Sequence, residues 1–99
     1  MSNNPFWAAV DVQLTELREA TTAAAVLSIL SQDRNPYGNM SNGGGGFFAG
    51  DASDAWLALR AAGWSFVWCR ADYYWCMAAP NGASQVTYVE GDVYRGDRR

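Results

Sequence analysis

The tripeptide Pro80-Asn81-Gly82, set between the runs YYWCMAA (73–79) and SQVTYVE (84–90), restricts this chain more than any other feature. Both runs are rich in aromatic and β-branched residues, which fit a pleated surface. Asn-Gly accepts positive φ at both centres of a type I′ turn, the type whose twist matches its flanking strands. The spacing predicts a tight hairpin. Counting outward from Asn81-Gly82 pairs Ala79 with Ser84, Met77 with Val86, Trp75 with Tyr88 and Tyr73 with Glu90. A third run, WSFVWCR (64–70), precedes the first across a short polar interruption at Ala71-Asp72. The expectation is a three-stranded antiparallel meander over 64–90.

Side chains alternate faces along a strand. With an even-numbered connection at Ala71-Asp72, one face carries Trp64, Phe66, Trp68, Arg70, Tyr73, Trp75, Met77, Val86 and Tyr88. The other carries Ser65, Val67, Cys69, Tyr74, Cys76, Ala78, Gln85, Thr87 and Val89. Burying each large apolar side chain is worth about 1.5–3 kcal/mol, so the first face requires cover from helices. The second is smaller and mixed: solvated, covered by a loop, or an interface.

Residues before the sheet supply that cover. Asn4 and Pro5 fit the N-cap and first position of a helix. Val10, Leu14, Leu17, Ala20, Ala24, Leu27 and Leu30 recur at three- and four-residue steps, which predicts helix over about 5–32. The β-branched pair Thr21-Thr22 either bends it or caps a second helix. Asp33-Arg34-Asn35-Pro36 stops it, since a residue before proline is driven toward extended conformations. The stretch 33–51 is a loop containing four consecutive glycines, 43–46, and anchored by Phe47-Phe48. A short helix over 52–62 follows, capped by Asp51 or Ser53, burying Trp56 and Leu59 and ending at Gly63; Arg60 near its end complements the helix dipole. The fold class is therefore α+β, αααβββ or ααβββ, in one domain over 1–99. Beyond Glu90 a short extension through Val93 and Tyr94 leads into a charged tail, 91–99.

A chain of 99 residues can bury about 60 to 65% of its unfolded surface without metals or disulfides. It has no stretch approaching the roughly 20 apolar residues that span a bilayer and no leader pattern, so a cytoplasmic protein is expected. Cys69 and Cys76 stand opposite each other, as a disulfide requires, only across a four-residue connection; a two-residue one sets them diagonally, and free, buried thiols are expected.

Chemistry is sparse. The net charge is −3, all seven basic residues are arginine, and histidine is absent. The glycine run lacks the Lys-Ser/Thr of a phosphate loop and reads as a linker. Asp72, Glu90, Asp92 and Asp97 are the only carboxylates placed to converge near the sheet, too few and too scattered to point to a metal site, and no His or Lys stands by to share a proton. Arg70 and Glu90 fall at one end of the aromatic face, as a rim ion pair with cation–π character. Aromatic sheet faces also bind single-stranded nucleic acid, but the acidic balance and the need of those rings for the core argue against it. Arg95-Gly96-Asp97 matches an adhesion tripeptide and carries no weight at that length.

The segments AGW at 62–64, YYW at 73–75, APNG at 79–82 and TYVEGDVYRGD at 87–97 resemble small proteins of actinobacteriophages, mycobacteriophages in particular. The resemblance covers about half of the chain. It implies a phage origin and a bacterial host cytoplasm, and it transfers no functional residue. Aromatic residues in excess, beside few catalytic side chains, point to a non-enzymatic protein that binds a host protein or a second copy of itself, with no cofactor, metal, nucleic acid or membrane involved. The expected partner-binding residues are Tyr74, Thr87 and Val89 on the second sheet face and Tyr37, Met40 and Phe47 in the glycine-rich loop.

Overall fold

The computed structural model describes residues 5–31 and 50–98. Three helices, α1 (Pro5–Leu17), α2 (Ala23–Ser31) and α3 (Ala52–Ala61), precede four strands: β1 (Ser65–Ala71), β2 (Tyr74–Ala78), β3 (Gln85–Val89) and β4 (Asp92–Arg95). The strands form one antiparallel meander in the order β1-β2-β3-β4. The class is α+β, as expected, with two helices rather than one bent helix at the start and, in place of a three-stranded sheet, a fourth strand where a short extension through Val93 and Tyr94 is expected. Asn4, Asp33, Arg34, Asn35, Pro36 and the glycine-rich stretch lie outside the described residues.

Thr22 makes the break between α1 and α2. Its Oγ1 accepts from the Ala25 N–H at 3.1 Å and its carbonyl from Val26 at 3.1 Å, which is the work of an N-cap. Restarting the helix also shifts its buried stripe: Ala23, Val26 and Leu30 are buried, whereas Ala24 is exposed and Leu27 half-buried. In α1 the expected Val10, Leu14 and Leu17 are buried, with Ala20 just beyond. Buried Gln13 ties the two helices together, its Nε2 donating to the Ile29 carbonyl at 2.9 Å.

At the end of α3, Trp64 N–H donates to Leu59 O and Gly63 N–H to Arg60 O, both at 3.0 Å, with Gly63 at φ +101. This is a Schellman ending, which satisfies the last carbonyls and turns the chain into the sheet. The Trp64 indole then donates to the Ala20 carbonyl at 2.7 Å, buried, where helical bonding has lapsed between α1 and α2. One tryptophan thus closes the α1–α2 break and begins the sheet.

The helices cover one sheet face. α2 lies against β3 and β4, and α1 packs on α2 and α3. Trp75, Met77, Val86 and Tyr88 are fully or almost fully buried there with Leu17, Val26, Leu30 and Leu59. Trp75 stacks on Tyr88 with 4.8 Å between centroids and 3° between planes, and Phe66 meets Trp75 and Trp56 edge-on.

The β2–β3 register is the expected one: Trp75 opposite Tyr88, Met77 opposite Val86, and Ala79 N–H donating to Ser84 O at 2.9 Å. Its turn is not. Gly82 N–H closes a turn on Ala79 O at 2.8 Å, and only Gly82 takes positive φ, +72, while Asn81 does not. Proline at the second position favours this turn, and Asn81 Oδ1 caps it by accepting from Ala83 N–H at 2.9 Å. Positive φ at both centres occurs instead at Glu90 (+51) and Gly91 (+100), between the paired residues Val89 and Asp92. That two-residue turn folds β4 back onto β3, putting Val93 against the core and Tyr94 beside Thr87.

The largest departure is in β1. Phe66 pairs with Met77, but Trp68 pairs with Cys76, and Cys69 pairs with Trp75 while Ala71 pairs with Tyr74. Val67 and Arg70 are the extra residues at two irregularities, which break the alternation of faces. Trp68 therefore stands on the face opposite Trp75. Tyr73, expected in the core, is in the Asp72-Tyr73 turn and 54% exposed. Arg70 is displaced too: its guanidinium lies over the Trp68 ring at 5.5 Å, and no Arg70–Glu90 ion pair forms among the described residues.

Candidate functional site

Trp68, Cys76, Thr87 and Tyr94 are consecutive partners across the sheet. They form a single row running from β1 to β4 on the face away from the helices. Tyr74 and Val89, also paired with each other, form the next row on the same face. The Trp68 and Tyr74 rings meet edge-on at 4.8 Å.

After β4 the chain turns at Gly96 (φ +87) and crosses this face. Thr87 Oγ1 donates to Gly96 O at 2.6 Å and accepts from Arg98 N–H at 2.9 Å. Asp97 Oδ1 accepts from the Trp68 indole at 2.9 Å. The Arg98 guanidinium rests over the Tyr94 ring at 5.7 Å, with its Nε donating to Arg95 O at 3.2 Å. Residues 96–98 thus reach from β4 over β3 to a residue of β1, and Cys76 and Thr87 between those contacts have no exposed surface. A groove of about 240 Å³ remains, lined by Val89, Tyr94 and Arg98.

Of the expected partner-binding residues, the fold brings Tyr74, Thr87 and Val89 to one face. Thr87 is buried and bound to residues 96 and 98, so it offers no surface; Tyr74 and Val89 are half-buried. Tyr37, Met40 and Phe47 lie outside the described residues. Sequence reasoning missed Trp68, Tyr94, Asp97 and Arg98. Nothing in the run WSFVWCR marks where a bulge inserts, whereas Glu90-Gly91 was a weak turn signal from which Tyr94 could have been placed.

No disulfide joins Cys69 and Cys76; Cys76 is buried as expected, whereas Cys69 is exposed. Asp72 contributes its carbonyl to the Trp75 indole at 2.9 Å. Among the described residues no three groups of metal-ligating type come together, and no helix is long and apolar enough to cross a membrane. Burial, and then the Asp92 and Asp51 carboxylates, push the Tyr88 phenol up to about 12, which keeps it a neutral member of the core. The face therefore offers rings, guanidiniums and a shallow groove, an arrangement suited to binding.

No family model, no curated protein and no solved structure matches this chain. The geometry of the outer sheet face accordingly carries the functional reading.

Proposed function

We propose that this is a small, phage-type, non-enzymatic protein that works by binding another protein through the outer face of its sheet. One observation carries the reading. Arg70 caps the Trp68 ring and Arg98 caps the Tyr94 ring on that face, and among the described residues neither guanidinium forms an ion pair. Arginine and aromatic residues dominate interface hot spots, and a guanidinium over a ring still has terminal N–H donors to offer a carboxylate. The matching partner surface is a segment that alternates acidic and apolar side chains, its apolar groups entering the groove at Val89 and Tyr94. The resemblance of 87–97 to actinobacteriophage proteins favours a host protein over a second copy of this chain as the source of that segment.

A second reading, single-stranded nucleic-acid binding, gains from the outward turn of Trp68 under Arg70, since bases stack on such rings. It loses on the net charge of −3 and on Asp97 standing beside the indole.

The test is capture from an actinobacterial host lysate by the wild type and by the paired substitution Arg70→Glu, Arg98→Glu, with light scattering of each pure protein. Binding through this face requires that a protein held by the wild type be lost by the variant at unchanged melting temperature. Equal capture by both rejects the face. A wild type that is dimeric and a variant that is monomeric would assign the face to self-association. Binding of oligothymidylate that quenches Trp68 and weakens steeply with salt would favour the nucleic-acid reading.

A further inference from the structure

We infer that residues 96–98 are a strap, closed in this structure, whose local release uncovers the buried strip of Cys76 and Thr87 and enlarges the outer face. The row Trp68, Cys76, Thr87, Tyr94 runs straight across all four strands, and the segment is fastened to Trp68, Thr87 and Tyr94. Gly96 and Arg98 hold Thr87, Asp97 holds Trp68 and Arg98 covers Tyr94. Cys76, in the middle, is fully buried although it faces away from the helices.

Those fastenings differ in kind from what holds the sheet. Residues 97 and 98 are themselves exposed, and they meet Trp68, Thr87 and Tyr94 through hydrogen bonds that each involve a side chain and through a ring contact, with no apolar side chain of the segment inserted into a core. Segments held this way open at a small fraction of the free energy of global unfolding. Opening beyond the last backbone bond to β3, Gly96 N–H to Gln85 O at 2.7 Å, leaves every strand pair intact. It removes the cover from a small thiol and a hydroxyl lying between Trp68 and Tyr94, which joins the two aromatic patches into one continuous strip. That a partner then occupies the strip rests on the binding reading above; the strap itself does not.

The Cys76 thiol reports the opening. In a Cys69→Ser background it is the sole thiol of the chain, and its reaction with an aromatic disulfide reagent can be followed in low urea. A strap requires a rate nearly independent of urea, because little surface is exposed, and a rate at least tenfold faster when Thr87→Val or Asp97→Ala is added. Thr87→Val keeps the shape of the side chain and removes the hydroxyl bound to residues 96 and 98; Asp97→Ala alters only an exposed position. A rate that climbs with urea as steeply as global unfolding, or one that neither substitution accelerates, overturns the strap. Acceleration without any change in partner capture leaves the strap standing and removes its link to binding.

Discussion

The hairpins β1–β2 and β2–β3 share the strand β2 and lie side by side, yet they obey different rules. In β2–β3 one register holds from Tyr74–Val89 to Ala78–Gln85 without interruption, so each residue takes the face that alternation assigns. In β1–β2 the register slips twice, at Val67 and at Arg70. The apolar pattern of β3 matches a buried face on every second residue. Trp64, Phe66 and Trp68, just before and within β1, keep the same spacing, but while Trp64 is buried in the core at the helix ending and Phe66 packs half-buried against that core, Trp68 has left that face. A two-residue repeat fixes faces only while the ladder is unbroken, and an edge strand such as β1 has a partner on one side only to hold it to that ladder.

Single-residue deletions should separate the hairpins most strongly. Removing Cys76 shifts one half of β2 against both neighbours and places Trp75 on the wrong face, so no cooperative unfolding transition should remain in thermal or urea scans. Removing Val67, which has no partner, leaves Phe66 and Trp68 on their present faces and should cost no more than about 2 kcal/mol. Equal damage from both deletions would break the distinction.

The two tryptophans should divide in the same way. Trp75→Ala empties a fully buried site stacked on Tyr88 and should cost about 3–5 kcal/mol by urea unfolding. Trp68→Ala removes a half-buried ring with its hydrogen bond to Asp97 and should cost no more than about 2 kcal/mol.

Alkaline titration probes the regular hairpin alone. The Tyr88 phenol titrates near 12 in the folded protein and near about 10 in the unfolded chain. The folded state therefore holds this proton more tightly, so the contribution is complete below pH 10. It is lost as the pH climbs through 10 to 12 and above, by about 3 kcal/mol in all. Tyr88→Phe should flatten that part of the stability profile; an unchanged slope would place the titration elsewhere.

The smallest effects belong to the turn at 79–82. Gly82→Ala meets no atom within 4 Å but must adopt φ +72, a strain of about 1–2 kcal/mol. Asn81→Ala loses one exposed hydrogen bond and should cost about 0.5 kcal/mol. A double-positive turn at Asn81-Gly82 would reverse that ranking.

The same contrast explains what could be read before any coordinates. The β2–β3 register followed from Pro80-Asn81-Gly82 even though the turn geometry did not, because two-residue and four-residue loops centred on the same pair preserve the pairing. The extension through Val93 and Tyr94 was legible but its pairing as a fourth strand was not, because the positive-φ pair is Glu90-Gly91, and glutamate rarely marks such a turn. Thr22 was legible as a cap, but its consequence, the move of the buried stripe from Ala24 and Leu27 to Ala23 and Val26, was not. The outer face was half legible. Tyr74, Thr87 and Val89 followed from alternation, whereas Trp68 depended on a bulge and the cover over Thr87 on a contact between residues nine and eleven positions apart.

The central claim is that Trp68 faces away from the helices, and the proton spectrum of the indole tests it most directly. Nuclear Overhauser contacts from the Trp68 ring to the Tyr74 ring, with centroids 4.8 Å apart, and none to Met77 or Phe66, are the expected result. Contacts from Trp68 to Met77, Phe66 and the Trp75 ring would place it in the helix-covered core and contradict the account.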